Sequence, residues 1–125
     1  MPLAKLGAVV LDCPDPLALA TFYAALVGGT PEWESDDSDS WVELKGHGGT
    51  LLAFQRVSGH VPPRWPDAAH PQQFHLDLEV PQAELDAVEK EVLALGATVL
   101  DAQDRERSFR VYADPAGHPF CLCAC

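Results

Sequence analysis

The chain has 125 residues, enough for one hydrophobic core and too few for two independent ones. Its formal net charge of −11 argues against nucleic acid and anionic membrane surfaces, since both need a basic footprint. No apolar run approaches the ~20 residues that cross a bilayer, and the composition is that of a soluble globular protein.

The opening stretch, MPLAKLGAVV, carries one lysine and runs straight into a strand pattern. It does not read as a signal peptide, so a cytoplasmic location is expected. Cys13, Cys121, Cys123 and Cys125 are then expected to be thiols in a reducing compartment, not a disulfide framework. Leu6–Cys13 reads as the first strand. Val9, Leu11 and Cys13 form the face under the helices, and Ala8, Val10 and Asp12 form the other. Asp15 and Pro16 make a helix start, a capping carboxylate followed by proline at the first helical position. Leu19, Phe22, Tyr23 and Leu26 give that helix its buried stripe, and Gly28-Gly29 ends it.

The acidic run from Glu32 to Ser40 (EWESDDSDS) reads as a solvated hairpin tip. Trp41–Leu44 and Thr50–Val57 read as two strands joined by the glycine-rich turn KGHGG. Ser58–Gln72, with prolines at 62, 63, 66 and 71, is expected to be an extended, semi-rigid linker. It carries Trp65, which either caps the edge of the core or roofs a pocket.

Phe74–Val80 alternates apolar and polar residues, the period of a strand with one buried face. Pro81 stops it, and Leu85, Val88, Val92 and Leu95 then recur at helical spacing. Gly96 ends the helix and Thr98–Leu100 starts another strand. Phe109–Ala113 and Pro119–Cys125 follow, around the turn DPAGH. At an offset of 67 positions, Ala8–Cys13 falls on His75–Val80, Pro14 on Pro81, Leu26 on Leu93 and Gly29 on Gly96. Such agreement indicates an internal duplication. One module spans about residues 5–57, a linker 58–72, and a second module 73–125, within a single α+β domain.

A β-α-β-β-β unit used twice in this length resembles the vicinal oxygen chelate superfamily, the glyoxalase and bleomycin-resistance-like proteins. LVGGTPEW follows the first helix and LALGATVL the second. VYADPAGHPFCL looks like the family's closing hairpin, and LAFQRV and PPRWPD are similar to stretches of small glyoxalase-like domains. The resemblance implies two half-sheets forming a cupped, incomplete mixed barrel with helices outside and a ligand in the cup, often on a divalent metal. It also implies metal ligands from a His on each first strand and a Glu, sometimes Gln or His, on each last strand. Carried over, His75 keeps its place, Ala8 has no donor atom, and Cys121 stands where the closing carboxylate would be. Gln55 is the only remaining ligand near the end of the first module. His75, Gln55 and Cys121 are thus weak metal candidates, and the family's catalytic metal centre is not expected.

Strand parity offers a lining for the cup. If Val42, Leu44, Val111 and Phe120 face the helices, then Trp41, Glu43, Gln55, Arg110, Tyr112, Cys121 and Cys123 face the cup, with His75, Asp77 and Glu79. A concave face with a few placed polar groups is what small-molecule sites look like. Each residue also has a plainer role. His75 is either a ligand or a hydrogen-bonded surface histidine. Arg110 and Glu43 pair across the sheet, and Asp114 serves the geometry of its turn. Cys121, Cys123 and Cys125 share a strand face at a spacing unlike zinc-binding Cys pairs, although a soft site of His75, Cys121 and Cys123 is conceivable.

The expected function is therefore a glyoxalase-like small-molecule-binding protein with a degenerate metal site. The alternative is a metal-dependent lyase, isomerase or dioxygenase-like enzyme of the superfamily, using the metal as Lewis acid. A small-molecule ligand and a homodimer are expected, with no nucleic-acid or membrane partner. A monomer mass in solution would contradict the dimer.

Overall fold

The computed structural model describes residues 6–33, 40–64, 69 and 74–124. It divides into two compact units, Met1–His60 and Val61–Cys125. Both have the same order of elements: strand, helix, then three strands.

In the first unit β1 (Val9–Cys13) leads into α1 (Pro16–Val27), then β2 (Thr30–Trp33), β3 (Trp41–Lys45) and β4 (Leu52–Arg56). The sheet order is β1-β4-β3-β2, with β1 parallel to β4 and the other pairs antiparallel. The Asp15 carboxylate accepts the Ala18 N–H at 3.1 Å, satisfying one of the donors that a helix start leaves open. Gly28, at φ 85°, closes the helix by donating its N–H to the Ala24 carbonyl. Leu19, Ala20, Phe22 and Tyr23 are buried. Tyr23 stacks on Phe54 of β4, with ring centroids 5.8 Å apart. Phe54 lies opposite Val42 and Leu52 opposite Leu44, so the helix-facing side of this sheet is the apolar one expected. Glu32 and Trp33, expected in an acidic tip, instead end β2, opposite Glu43 and Val42 of β3. Cross-strand pairing there outweighs local polarity.

The second unit repeats the plan with β5 (Leu76–Val80), a short 3₁₀ turn (Gln82–Glu84), α2 (Leu85–Ala94), β6 (Thr98–Asp101), β7 (Phe109–Ala113) and β8 (Pro119–Ala124). Its sheet order is β5-β8-β7-β6, and β5 runs parallel to β8. Leu85 and Val92 are the buried residues of α2. Phe74, expected to begin the strand, is 89% exposed, and the ladder starts two residues later. No strand or helix occurs among the described residues of the 58–72 segment. Trp65 and Cys125 lie outside the described residues.

The two faces of the second sheet follow from its register. Leu76 pairs with Phe120 and Leu78 with Leu122, while Tyr112 lies opposite Phe120 and Arg110 opposite Leu122. Residues opposite each other on paired strands share a face, so all six look toward α2. On the other face stand Asp77 opposite Cys121, Cys121 opposite Val111, and Cys123 opposite Phe109.

Candidate functional site

The open face of the second sheet carries a pocket of about 500 Å³, within the range of small-molecule sites. Strand alternation brings its wall together, since residues two apart on one strand share a face. Cys121 and Cys123 come from β8, Val111 and Phe109 from β7, and Asp77 from β5, with His75 just ahead of that strand. The segment joining β6 to β7 supplies the rim through Asp101, Arg107 and Ser108.

Three donor-bearing side chains converge on this wall. Ring nitrogen, carboxylate oxygen and sulfur of His75, Asp77 and Cys121 all lie within 4.8 Å of one another. His75 Nε2 is 3.4 Å from Asp77 Oδ1. Exposure is graded across the group: the Asp77 side chain is 61% exposed and that of His75 24%, while Cys121 is 2% exposed. Burial, reinforced by the Asp77 carboxylate, pushes the Cys121 thiol up to about 12. Cys121 is therefore a neutral thiol at physiological pH and a poor nucleophile. At pH 8 its alkylation by iodoacetamide should be slower than that of an ordinary cysteine by roughly a thousandfold, from thiolate fraction alone. Mass-spectrometric mapping of the labelled cysteines checks this, and rapid labelling of Cys121 would refute it.

At the rim, Arg107 is held from three sides. Its Nε donates to the Phe109 carbonyl at 3.0 Å, one terminal nitrogen to the Asp101 carboxylate at 3.2 Å, and the other to the Asp101 carbonyl at 3.1 Å. Its guanidinium carbon sits 4.2 Å from the centroid of the Phe109 ring, a cation–π arrangement. The arginine is thus fixed in place, and Asp101 compensates its charge.

Of the residues expected at the site, the structure gathers His75 and Cys121 into this pocket. Trp41, Glu43 and Gln55 lie together on the first sheet, on the face opposite the Val42, Leu44 and Phe54 side. Trp41 pairs with Gln55 across the strands and donates its indole N–H to Glu43 at 3.1 Å. Arg110 and Tyr112 require a correction: they point toward α2, and Val111 takes the pocket position. Arg110 is 3% exposed and places a terminal nitrogen 2.8 Å from Asp86 Oδ1 of α2. The Tyr112 hydroxyl donates to Glu89 of α2 at 2.7 Å. Burial and that hydrogen bond raise the Tyr112 phenol. The pairing expected between Arg110 and Glu43 is likewise replaced, since their strands belong to separate sheets and Arg110 meets Asp86 and Glu89.

The reason is that polarity and parity disagree on β7. An arginine and a tyrosine look wet in sequence, yet two carboxylates of the overlying helix, Glu89 largely covered and Asp86 at the surface, give their polar ends partners. The sequence reading missed Asp101, Arg107, Ser108 and Phe109 altogether. The one signal for them is that Phe109 shares the parity of Val111, which was itself placed on the wrong face.

A family model for the glyoxalase-like domain matches residues 8–123. No curated protein matches the sequence significantly. Among solved structures, a glyoxalase/bleomycin resistance protein/dioxygenase family enzyme from Burkholderia phytofirmans is 20% identical, with a TM-score of 0.70, covering 95% of this chain and 97% of its own. The fosfomycin resistance protein FosX from Mesorhizobium loti is 13% identical, with a TM-score of 0.73 and coverage of 99% and 94%. A FosX mutant from Listeria monocytogenes, complexed with Mn(II) and 1S,2S-dihydroxypropylphosphonic acid, is 15% identical, with a TM-score of 0.70 and coverage of 98% and 93%. At these identities the likeness establishes the fold of paired βαβββ modules, while the family match extends over nearly the whole chain. This chain is a member of the glyoxalase-like domain family.

Proposed function

We propose that this protein is a small-molecule-binding member of its family, taking a compact, largely apolar and non-anionic ligand against the open face of the second sheet. The carrying observation is the pocket of about 500 Å³ walled by Phe109, Val111, Cys121 and Cys123. Its charge supports the non-anionic preference. Arg107 is neutralised by Asp101, and the exposed Asp77 carboxylate, beside the His75 ring, adds a further acidic group to the wall. The phosphonate complex of the Listeria FosX mutant indicates that the fold accepts anions, but this wall lacks an arginine available for one.

A divalent metal held in the family's manner does not fit these residues. The first-module position is Ala8, which has no donor, and Gln55 lies on β4 beside Trp41. Many activities occur on one fold, so the enzyme titles of the structural neighbours do not transfer by fold alone.

The test is a chemical-shift titration of the labelled protein with benzylamine and, separately, benzoate. Benzylamine should shift the amides of Phe109, Val111 and Cys123, with affinity above that of benzoate, as the exposed Asp77 carboxylate on the wall favours a cation. Ser108→Trp, at an exposed rim position, should remove both responses without altering the fold. Tighter benzoate binding, or shifts that survive Ser108→Trp, would overturn the proposal.

A further inference from the structure

We infer that Arg105 is a positioning residue for the pocket rim. It orders, from the helix side of the second sheet, the connector that presents Arg107 and Ser108 on the pocket side. Arg105 itself does not line the pocket. Its consequence for binding rests on the ligand reading above, whereas its hold on the connector does not.

The connector is the segment 102–108 between β6 and β7, and no strand ladder holds its tip. There the Arg107 N–H reaches the Asp104 carbonyl at 3.3 Å, a long bond, and the Glu106 N–H donates to the Asp104 carboxylate at 3.1 Å. These bonds shape the turn without attaching it to the rest of the module. The Ser108 carbonyl accepts the Ala124 N–H at 2.7 Å, which fixes the end of the connector. Arg105 attaches the tip. One terminal nitrogen donates to Glu89 Oε1 at 3.2 Å and to the Ala102 carbonyl at 3.0 Å. The other donates to Glu89 Oε2 at 2.8 Å and to Asp86 Oδ1 at 3.0 Å. Paired N–H bonds from one guanidinium to one carboxylate set direction as well as distance.

Of the two carboxylates, Glu89 carries the attachment. The Asp86 side chain is 80% exposed and that of Glu89 15%, and an ion pair in full contact with water contributes little. The hydrogen bond from Arg105 holds the Glu89 carboxyl below its ordinary value, so the pair stays charged at neutral pH. Glu89 is also held from β7, where the buried Tyr112 donates its hydroxyl proton at 2.7 Å. Tyr112 follows Val111, which lines the pocket from the other face of the same strand. Tyr112, Glu89 and Arg105 thus tie the position of the rim to the strand that forms the pocket wall. A rim ordered before the ligand arrives has less freedom to lose on binding, and affinity rises accordingly.

The test compares the full chain with Arg105→Gln and Arg105→Lys, all isotope-labelled. Heteronuclear NOE values, which report fast backbone motion, should drop at Glu106, Arg107 and Ser108 in Arg105→Gln and stay unchanged along β7. Affinity for benzylamine and for neutral benzyl alcohol should fall about fivefold, the scale of ordering one or two side chains, with unchanged circular dichroism. The sign separates this from a charge effect, because removing a cation would by itself tighten benzylamine binding. Arg105→Lys keeps the charge and loses the fork, so it should behave like Arg105→Gln. Unchanged motion at Arg107 and Ser108, tighter benzylamine binding in Arg105→Gln, or native behaviour of Arg105→Lys would each overturn the inference. Failure of the native chain to bind either probe would refute the ligand reading instead, and the NOE values would still decide whether Arg105 holds the rim.

Discussion

Replacing Gly117 by alanine should destabilise the second module by about 3 kcal/mol, the upper part of the range for a residue forced into sparsely populated backbone space. Gly117 adopts φ +94°, and a Cβ added there would run into the Cβ of Pro62 and come within 3.0 Å of its Cγ. Two penalties therefore combine, one in the backbone and one in packing. The turn has little freedom to relax. The Asp114 carboxylate accepts N–H bonds from Ala116 at 2.8 Å and His118 at 3.0 Å, while the Gly117 N–H donates to the Asp114 carbonyl at 2.8 Å. This turn sets the register of β7 on β8, and with it the placement of Cys121 beside Val111. Urea denaturation of Gly117→Ala, alone and combined with Pro62→Gly, measures both parts. The double variant should recover the packing part and leave the backbone part. A loss below about 1 kcal/mol in the single variant would show that the turn adapts freely.

Arg110→Ala should cost about 3 kcal/mol, because it removes the buried partner of two carboxylates along with the stem that packs under α2. Arg110→Met, which keeps the volume, should cost much less. The two measurements separate charge pairing from filling of space. Acid weakens the same contact. The Arg110 guanidinium, through a hydrogen bond and its charge, holds the Asp86 carboxyl below its ordinary value. Arg105, hydrogen-bonded to Glu89 at 2.8 Å, does the same for Glu89. Groups whose folded-state pKa is lowered contribute stability above the unfolded value and lose it as pH falls through the folded one. The gap in melting temperature between the native chain and Arg110→Ala should therefore narrow as pH drops below about 4. Ligand titration supplies the complementary readout. Were Arg110 a pocket residue, its truncation would change affinity and spare stability; facing α2, it should do the reverse.

The order of elements was readable because its signals are local. Asp15-Pro16 and Gly28 delimit α1, Pro81 and Gly96 bracket the second helix, and Asp114 to His118 form the turn before β8. The apolar faces of β1 and β3 were readable too, since Leu11 and Cys13 flank Asp12, and Val42 and Leu44 flank Glu43. On β7 the same reasoning failed. Phe-Arg-Val-Tyr-Ala offers no clean alternation, and a one-residue error in parity turns every side chain to the opposite face. What decides the matter is non-local: Phe120 pairs with Tyr112, and Asp86 and Glu89 sit one helix away. His75 and Cys121 were found through a family position, and Asp77 through its parity. Their convergence was hidden because it depends on which residue of β8 lies beside which residue of β5. Arg107 and Asp101 were invisible for a related reason, since a connector with no period does not disclose where its side chains rest.

The parallel pairing of each module's opening strand with its closing strand bears on the order of assembly. Leu76 meets Phe120 and Leu78 meets Leu122 only after the helix and both intervening strands have been synthesised. A ribosome must therefore deliver almost the whole module before its earliest strand finds its neighbour. Until then β5 waits with an unpaired backbone edge, which other nascent chains could capture. Closures over so long a stretch of chain slow folding.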